Sequence, residues 1–437
     1  MDLTRKFKLE NFFIMATIIS LAFENFQLIE VAGGAFKPTQ VIAIIAIISI
    51  VVKRGLDQKA FIRCIAFCML PLLPIYRIND MTEFFKTYLN YIVMVMFICF
   101  VMPNLKRVFN LDVEKYLKCF NVVISIVCIL GILQFLMMNL LGVFFLDGVF
   151  GPFEFRGNAI TQESGMYRAF SVFHEPSYFG WVCDIALAIN LSVKTSKQST
   201  NAFVVALTII SILVSLSSSA IWIMVIILAL NLLIVKRTNK TQTMLALFAI
   251  VALVFVVFMF DLSFIGDSML RLFTEKDIKG TSGYERITIP IEYIKKTMEN
   301  YPFLGRGLGQ QGDIDAVGQI STHKGIHNSV LSAIVTFGVI SIFYYAWIVK
   351  IFFGKRFNRR LRKERILLFV ATLGMYFSTG AFLSFDTFIF TIIIILFLDA
   401  IVKGKAINSN GEQLDAEADN IRNSTGVQYG KISEQMR

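Results

Sequence analysis

The chain returns about twelve times to an apolar run of spanning length, roughly 17 to 25 residues each. These runs fall near residues 12–30, 36–52, 60–76, 83–102, 119–146, 176–193, 202–217, 219–235, 243–262, 328–349, 365–382 and 386–402. They are expected to be helices, because an open strand in lipid leaves backbone donors and acceptors without partners. The expected fold is therefore all-α: a polytopic transmembrane bundle of about twelve spans. Composition agrees. With 56% hydrophobic residues, 17% charged residues and 43 Phe, the chain holds more apolar surface than a water-surrounded core can bury. A soluble domain carries about 25% charged residues. The least regular runs are the first, ending in Glu24 and Asn25, and the pair meeting at Ser217–Ser219, so a count of eleven to thirteen fits equally.

Charge sets the expected orientation, since Lys and Arg in short loops mark the cytoplasmic side. With the N-terminus inside, the inner short segments hold twenty-four Lys and Arg and the outer loops five. Both termini are then cytoplasmic. The net charge of +11 becomes a topology signal facing anionic lipid and calls for no nucleic acid. The first run is long and lacks a small-residue cleavage site, so it reads as a span rather than a cleaved signal. The six cysteines lie in or beside spans and none forms a CxxC pair, which argues against a disulfide framework.

This layout divides the chain into spans one to nine over 1–262, a large outer loop at 263–327, spans ten to twelve over 328–402, and a polar tail at 403–437 read as a disordered cytoplasmic segment. A second outer loop lies at about 147–175. Long loops in a compact bundle are commonly functional. All three histidines, His174, His323 and His327, lie in these two loops or at their exits. Histidine is the side chain best suited to move protons near neutral pH.

In the first loop, Glu175 precedes Pro176, which suits the first turn of a helix. Glu175 is either a carboxylate placed favourably at a helix N-terminus or a base. Asp184, about 13 Å further along that helix, is expensive inside a membrane and is expected to face a polar interior. In the second loop, Ile287, Ile291, Ile294 and Met298 share one face of an amphipathic stretch from Tyr284 to Tyr301. That stretch either lies in the headgroup region or packs over the mouth of the bundle, and Pro290 either kinks it or marks its first turn. The glycines of Gly305-Arg306-Gly307-Leu308-Gly309 allow tight turns or close approach to a ligand. His323 and His327 are four apart, but Gly325 between them disfavours a helical metal pair. Asp313 and Asp315 read as ordinary loop residues, so no metal or other cofactor is expected.

Three segments together resemble the O-antigen polymerase (Wzy-type) and O-antigen ligase superfamily of bacterial envelope proteins. They are Arg168…Phe173-His174-Glu175-Pro176-Ser177…Gly180, then Arg286…Pro302…Gly305-Arg306-Gly307-Leu308-Gly309, then His327-Asn328 followed by Gly338. The resemblance implies a multi-pass protein of the bacterial inner membrane with its active face in the periplasm. It implies block transfer of a glycan from undecaprenyl diphosphate to a sugar hydroxyl on another lipid-linked repeat unit, without a metal. By that resemblance and its chemistry, Arg168, Arg286 and Arg306 are candidates to hold the diphosphate. His327 is the candidate base, with Glu175 as rival, and His323, Asn328, His174 and Asp184 are supporting residues. A chain-length regulator and a lipid-linked-oligosaccharide flippase are the implied partners. The competing expectations are a ligase, which shares these motifs, a membrane transporter or flippase, and an assembly scaffold. The Glu175-Pro176-Ser177 element favours the polymerase.

Overall fold

The computed structural model describes residues 8–23, 26, 28–31, 34–144, 162–163, 165–193, 198–234, 278, 284–310, 328–354, 362–378, 384–385 and 387–402. Helices dominate. In chain order they are α1 (Lys8–Ser20), α2 (Pro38–Arg54), α3 (Gln58–Arg77), α4 (Met81–Phe109), α5 (Val113–Leu140), α6 (Pro176–Ser192), α7 (Gln198–Ser215), α8 (Ser218–Ile234), α9 (Ile289–Asn300), α10 (Ser329–Phe353), α11 (Arg362–Ser378) and α12 (Thr387–Val402). Four of these, α3, α4, α5 and α10, are long and apolar enough to cross a membrane. Parts of α7, α8 and α12 are shorter apolar helices. The run at 243–262, most of the large loop and the polar tail lie outside the described residues.

Polar residues at the helix starts explain most boundaries. Asp57, Asp80 and Asp112 cap α3, α4 and α5 by accepting from backbone N–H groups one turn ahead. Pro38 and Pro176 occupy the first turns of α2 and α6, where a missing N–H costs nothing. The Asp112 cap starts α5 six residues before the run expected at 119, and that helix ends at Leu140 rather than 146. The first run ends as helix at Ser20, followed by a 3-10 turn Leu21–Phe23 and a hairpin of Ile29–Val31 with Gly34–Phe36. A second small hairpin pairs Gln162–Glu163 with Met166–Tyr167. Phe26 adds an isolated bridge.

Three helices are interrupted where the sequence demands it. α3 gives way to 3-10 turns at Leu70–Leu72 and Ile75–Arg77, beside Pro71 and Pro74. α4 widens to a π turn at Phe97–Val101 just before Pro103, which has no N–H to give to the ladder. α10 breaks into a 3-10 turn at Gly338–Ile340. The centre of the bundle is α6, whose residues from Pro176 to Asn190 are all buried, with α7, α8 and α11 packed around it. Gly180 permits this closeness: a Cβ there would lie 2.5 Å from the Ala220 Cβ on α8. Trp181 packs edge-on to Phe390 of α12, with ring centroids 4.7 Å apart.

Candidate functional site

The helix α9 carries Arg286 just ahead of it, in a single π turn at Tyr284–Thr288. Pro290 sits in the first turn of α9 and does not kink it. The buried face of α9 is Ile289, Tyr293 and Thr297, and Ile289 and Tyr293 pack on Val335 of α10. Of the apolar face read from the sequence, Ile287, Ile291, Ile294 and Met298, Ile294 packs half-buried against this cluster and Ile291 is exposed. The packing on Val335 places the helix over the bundle rather than lying free of it.

This docking brings Arg286 to the ends of four other helices. Its guanidinium donates to Ser177 Oγ at 2.8 Å, in the first turn of α6, and to Ser219 Oγ at 3.4 Å, in the first turn of α8. Ser378, the last residue of α11, donates to Ser219 Oγ at 3.0 Å. Asn328 caps α10 by accepting from Leu331 N–H at 3.1 Å, and its amide donates to the Arg286 carbonyl at 3.4 Å. One arginine is therefore surrounded by hydroxyls from α6, α8 and α11 and by the start of α10. The N-terminal ends of α6, α8 and α10 each carry partial positive charge. Together with the guanidinium they make one corner of the bundle suited to an anion.

Arg168 reaches the same region by a rigid route. Asn139, near the end of α5, clamps Tyr167 by both backbone groups, donating to its carbonyl at 2.9 Å and accepting from its N–H at 2.7 Å. Gln134, about one and a half turns earlier on α5, accepts from the N–H groups of Phe170 and Ser171 at 2.9 and 2.8 Å. Ser171 sits at φ 54°, in the left-handed region, and its hydroxyl donates to the Val127 carbonyl at 2.7 Å. Ala169 N–H bonds to the Val214 carbonyl at 3.0 Å. Between these pins Arg168 is buried, its Nε donating to the Ser215 carbonyl at the end of α7 at 3.3 Å.

Arg306 arrives by a third route. The break at Gly338 leaves carbonyls of α10 without helical partners. The N–H groups of Arg306 and Gly307 fill them, bonding to the Val335 and Thr336 carbonyls at 2.8 and 3.1 Å, while Val339 N–H bonds back to the Pro302 carbonyl at 2.8 Å. Gly305 and Gly338 both have positive φ, 65° and 57°. A Cβ on Gly305 would meet the Thr336 backbone at 2.5 Å, and one on Gly338 would meet the Pro302 carbonyl oxygen at 2.4 Å. The glycines of this run thus serve backbone interlocking. Gln310 completes the wedge by binding the N–H groups of Asn79 and Asp80 ahead of α4. Arg306 itself is buried, with its guanidinium 5.8 Å from the Tyr293 ring centre. Its Nε has no hydrogen-bond partner among the described residues.

The remaining candidates divide. Glu175 flanks α6, and its carboxylate lies 3.7 Å from His174 Nε2. His174 is buried with its ring 4.3 Å from that of Tyr178. Asp184 is buried on α6, about 10 Å of helix rise beyond Ser177. Neither of its carboxylate oxygens has a hydrogen-bond partner among the described residues. His323 and His327 lie outside the described residues, as do Asp313 and Asp315. However, His327 is bonded in sequence to Asn328, whose side chain touches the Arg286 backbone.

All three motif segments thus meet: Ser177 and Arg286 through a hydrogen bond, Arg286 and Asn328 through another, Gly305 and Gly338 through interlocked backbone. The family model for WcaD colanic acid polymerase matches residues 13–400, nearly the whole of this convergent arrangement. The chain belongs to the WcaD colanic acid polymerase family. It is accordingly a membrane protein of the polysaccharide-polymerase kind. No curated protein gives a match to the chain. Within this WcaD family member, Ser219, Ser378, Gln134, Asn139 and Tyr293 contact the candidate residues or their segments and were missed by sequence reasoning. Only Ser219 left a trace, as part of a polar break between two apolar runs.

Proposed function

We propose that the protein polymerises a bacterial surface polysaccharide by moving a glycan block from undecaprenyl diphosphate to a sugar hydroxyl on another lipid-linked repeat unit. The acceptor oxygen attacks the anomeric carbon of the donor, the bond from that carbon to the diphosphate breaks, and its electron pair leaves on the phosphate oxygen. Negative charge grows on the departing diphosphate. A guanidinium stabilises it through charge-assisted bonds, especially when held in place beforehand. Arg286 supports this reading best, because its hydrogen bonds to Ser177 and Ser219 fix it beside helix N-termini before substrate arrives. The buried Arg306 and Arg168 are the further diphosphate-binding groups. The hydroxyl proton goes to a base, His327 or Glu175, with Asn328 fixing the chain beside the first.

The site belongs on the periplasmic face of the inner membrane, with both termini in the cytoplasm and about twelve spans between them, as the loop charges require. The WcaD family match favours polymerase over ligase. The test is a glycan gel of cells lacking the protein, with and without the wild-type copy. Loss of polymer with accumulation of a single lipid-linked repeat unit is the expected result. Accumulation of long lipid-linked polymer would make it a ligase, and unchanged polymer would overturn both readings.

A further inference from the structure

The buried guanidinium of Arg306 has an incomplete set of partners. Its Nε finds no hydrogen-bond acceptor, and no Asp or Glu pairs with it, among the described residues. A cation taken out of water is costly unless an anion or its equivalent faces it. What the fold supplies is the ring of Tyr293, whose centre lies 5.8 Å from the guanidinium carbon. The face of an aromatic ring attracts a cation within about 6 Å, and does so more strongly where water is excluded.

Both ends of this contact are held independently. The Arg306 N–H is bonded to the Val335 carbonyl at 2.8 Å, and Gly305 and Gly307 on either side have φ of 65° and 97°. Tyr293 is 3% exposed and packs with Ile289 against Val335. Val335 thus meets both residues, Arg306 through its carbonyl and Tyr293 through its side chain. Between a fixed root and a fixed ring, a long arginine side chain has few conformations left. An arginine oriented before its anion arrives loses less freedom on binding it. Tyr293 also follows Arg286 by seven residues, about two helical turns. One helix, α9, therefore steadies one guanidinium and follows directly from the turn that carries another.

We propose that Tyr293 is a positioning residue, its ring holding the Arg306 guanidinium in the orientation that receives the diphosphate. The proposal rests on the reading of Arg306 as a diphosphate-binding group. Tyr293 acts through Arg306 and not on the substrate. The attraction comes from the face of the ring, so the ring is needed and the hydroxyl is not.

Isothermal titration of the full-length protein in detergent with inorganic pyrophosphate tests this. Tyr293→Leu should weaken binding by about tenfold, the scale of a desolvated cation–π contact. Tyr293→Phe, which keeps the ring, should retain most of the affinity. In an Arg306→Ala background, Tyr293→Leu should weaken binding no further, whereas a ring that only supported the fold would act in both backgrounds. Phenylalanine analogues with one, two and three ring fluorines at position 293 keep the shape and drain negative charge from the ring face. They should weaken binding stepwise, and they carry the test even where leucine unfolds the protein, which size exclusion reports. Affinity indifferent to fluorination, equal losses from Tyr293→Leu in both backgrounds, or no pyrophosphate binding by the wild type would overturn the assignment. The glycan gel judges the polymerase reading separately: stepwise weakening here with unchanged polymer there would leave the role of Tyr293 standing and sink the polymerase.

Discussion

The Arg286 guanidinium donates to Ser177 Oγ at 2.8 Å, tying the start of the loop helix α9 to the start of the central helix α6, 109 positions earlier. The second bond, to Ser219, is to a different helix. A planar guanidinium spans two acceptors in a way that a single ammonium point charge does not. Replacing Arg286 with Ala is expected to lower polymer formation by about a hundredfold or more, the scale of one lost transition-state donor. Arg286→Lys should recover little of it. Polymer yield per amount of membrane-inserted protein is the measurement, and near-normal yield in either variant would remove Arg286 from the diphosphate site.

Acid–base chemistry gives a prediction of opposite pH sense from simple loss of charge. If His327 takes the acceptor proton, it must be neutral to act, so activity should fall as pH drops through the range in which imidazole gains its proton. His327→Ala should lower the rate by about a hundredfold or more and abolish that acid limb. Persistence of the same limb in the variant would move the role to Glu175.

The interlock at Gly305 and Gly338 predicts a fold effect. Gly305→Ala and Gly338→Ala each place a methyl within 2.5 Å of backbone at a positive φ. Strain of this kind costs about 1–3 kcal/mol. Both variants should melt earlier in detergent, followed by fluorescence-detected size exclusion, and lose activity in proportion. Gly307→Ala should be milder, since its nearest neighbour is a Pro74 side-chain carbon at 3.5 Å. A Gly305→Ala protein as stable as the wild type would contradict the interlock.

Gln134 pins the segment just after Arg168 to α5. Its Oε1 accepts two buried N–H groups, and leaving buried donors unmet costs about 1–3 kcal/mol each. Gln134→Leu should therefore loosen the 167–175 segment and reduce activity, whereas Gln134→Glu keeps the acceptor oxygen and should retain most of it. Equal activity in the Leu and Glu variants would show that the clamp does not matter.

Asp184 is buried on α6, a stretch of helix away from Ser177. Its carboxylate finds no hydrogen-bond partner among the described residues and sits apart from the Arg286 cluster. Asp184→Asn should keep polymer formation near the wild-type level. A loss of tenfold or more would give Asp184 a part that the geometry of the cluster does not.

Much of this protein is legible residue by residue. Apolar run length marks the helices, because the thickness of a bilayer sets how much chain must be shielded from water. The caps Asp57, Asp80, Asp112 and Asn328 set the helix starts, and the run at 119 shows that apolar length alone misses such a start by up to about two turns. The three motif segments could be picked out and Arg286 named among them, but not that Ser177, Ser219 and Ser378 would gather around it. Serine carries no periodic signal, and its partner lies on another helix.

The sequence by itself determined a helical membrane bundle with its distinctive polar residues in two loops, since both follow from local hydrophobicity and charge. Only the tertiary structure decided which face of α9 is buried, that the glycines of the 305–309 run lock backbone to backbone, and that Arg286 stands at the joined ends of α6, α8, α10 and α11. Those outcomes depend on which surfaces meet. An apolar pattern states that a face will be covered and leaves open what covers it.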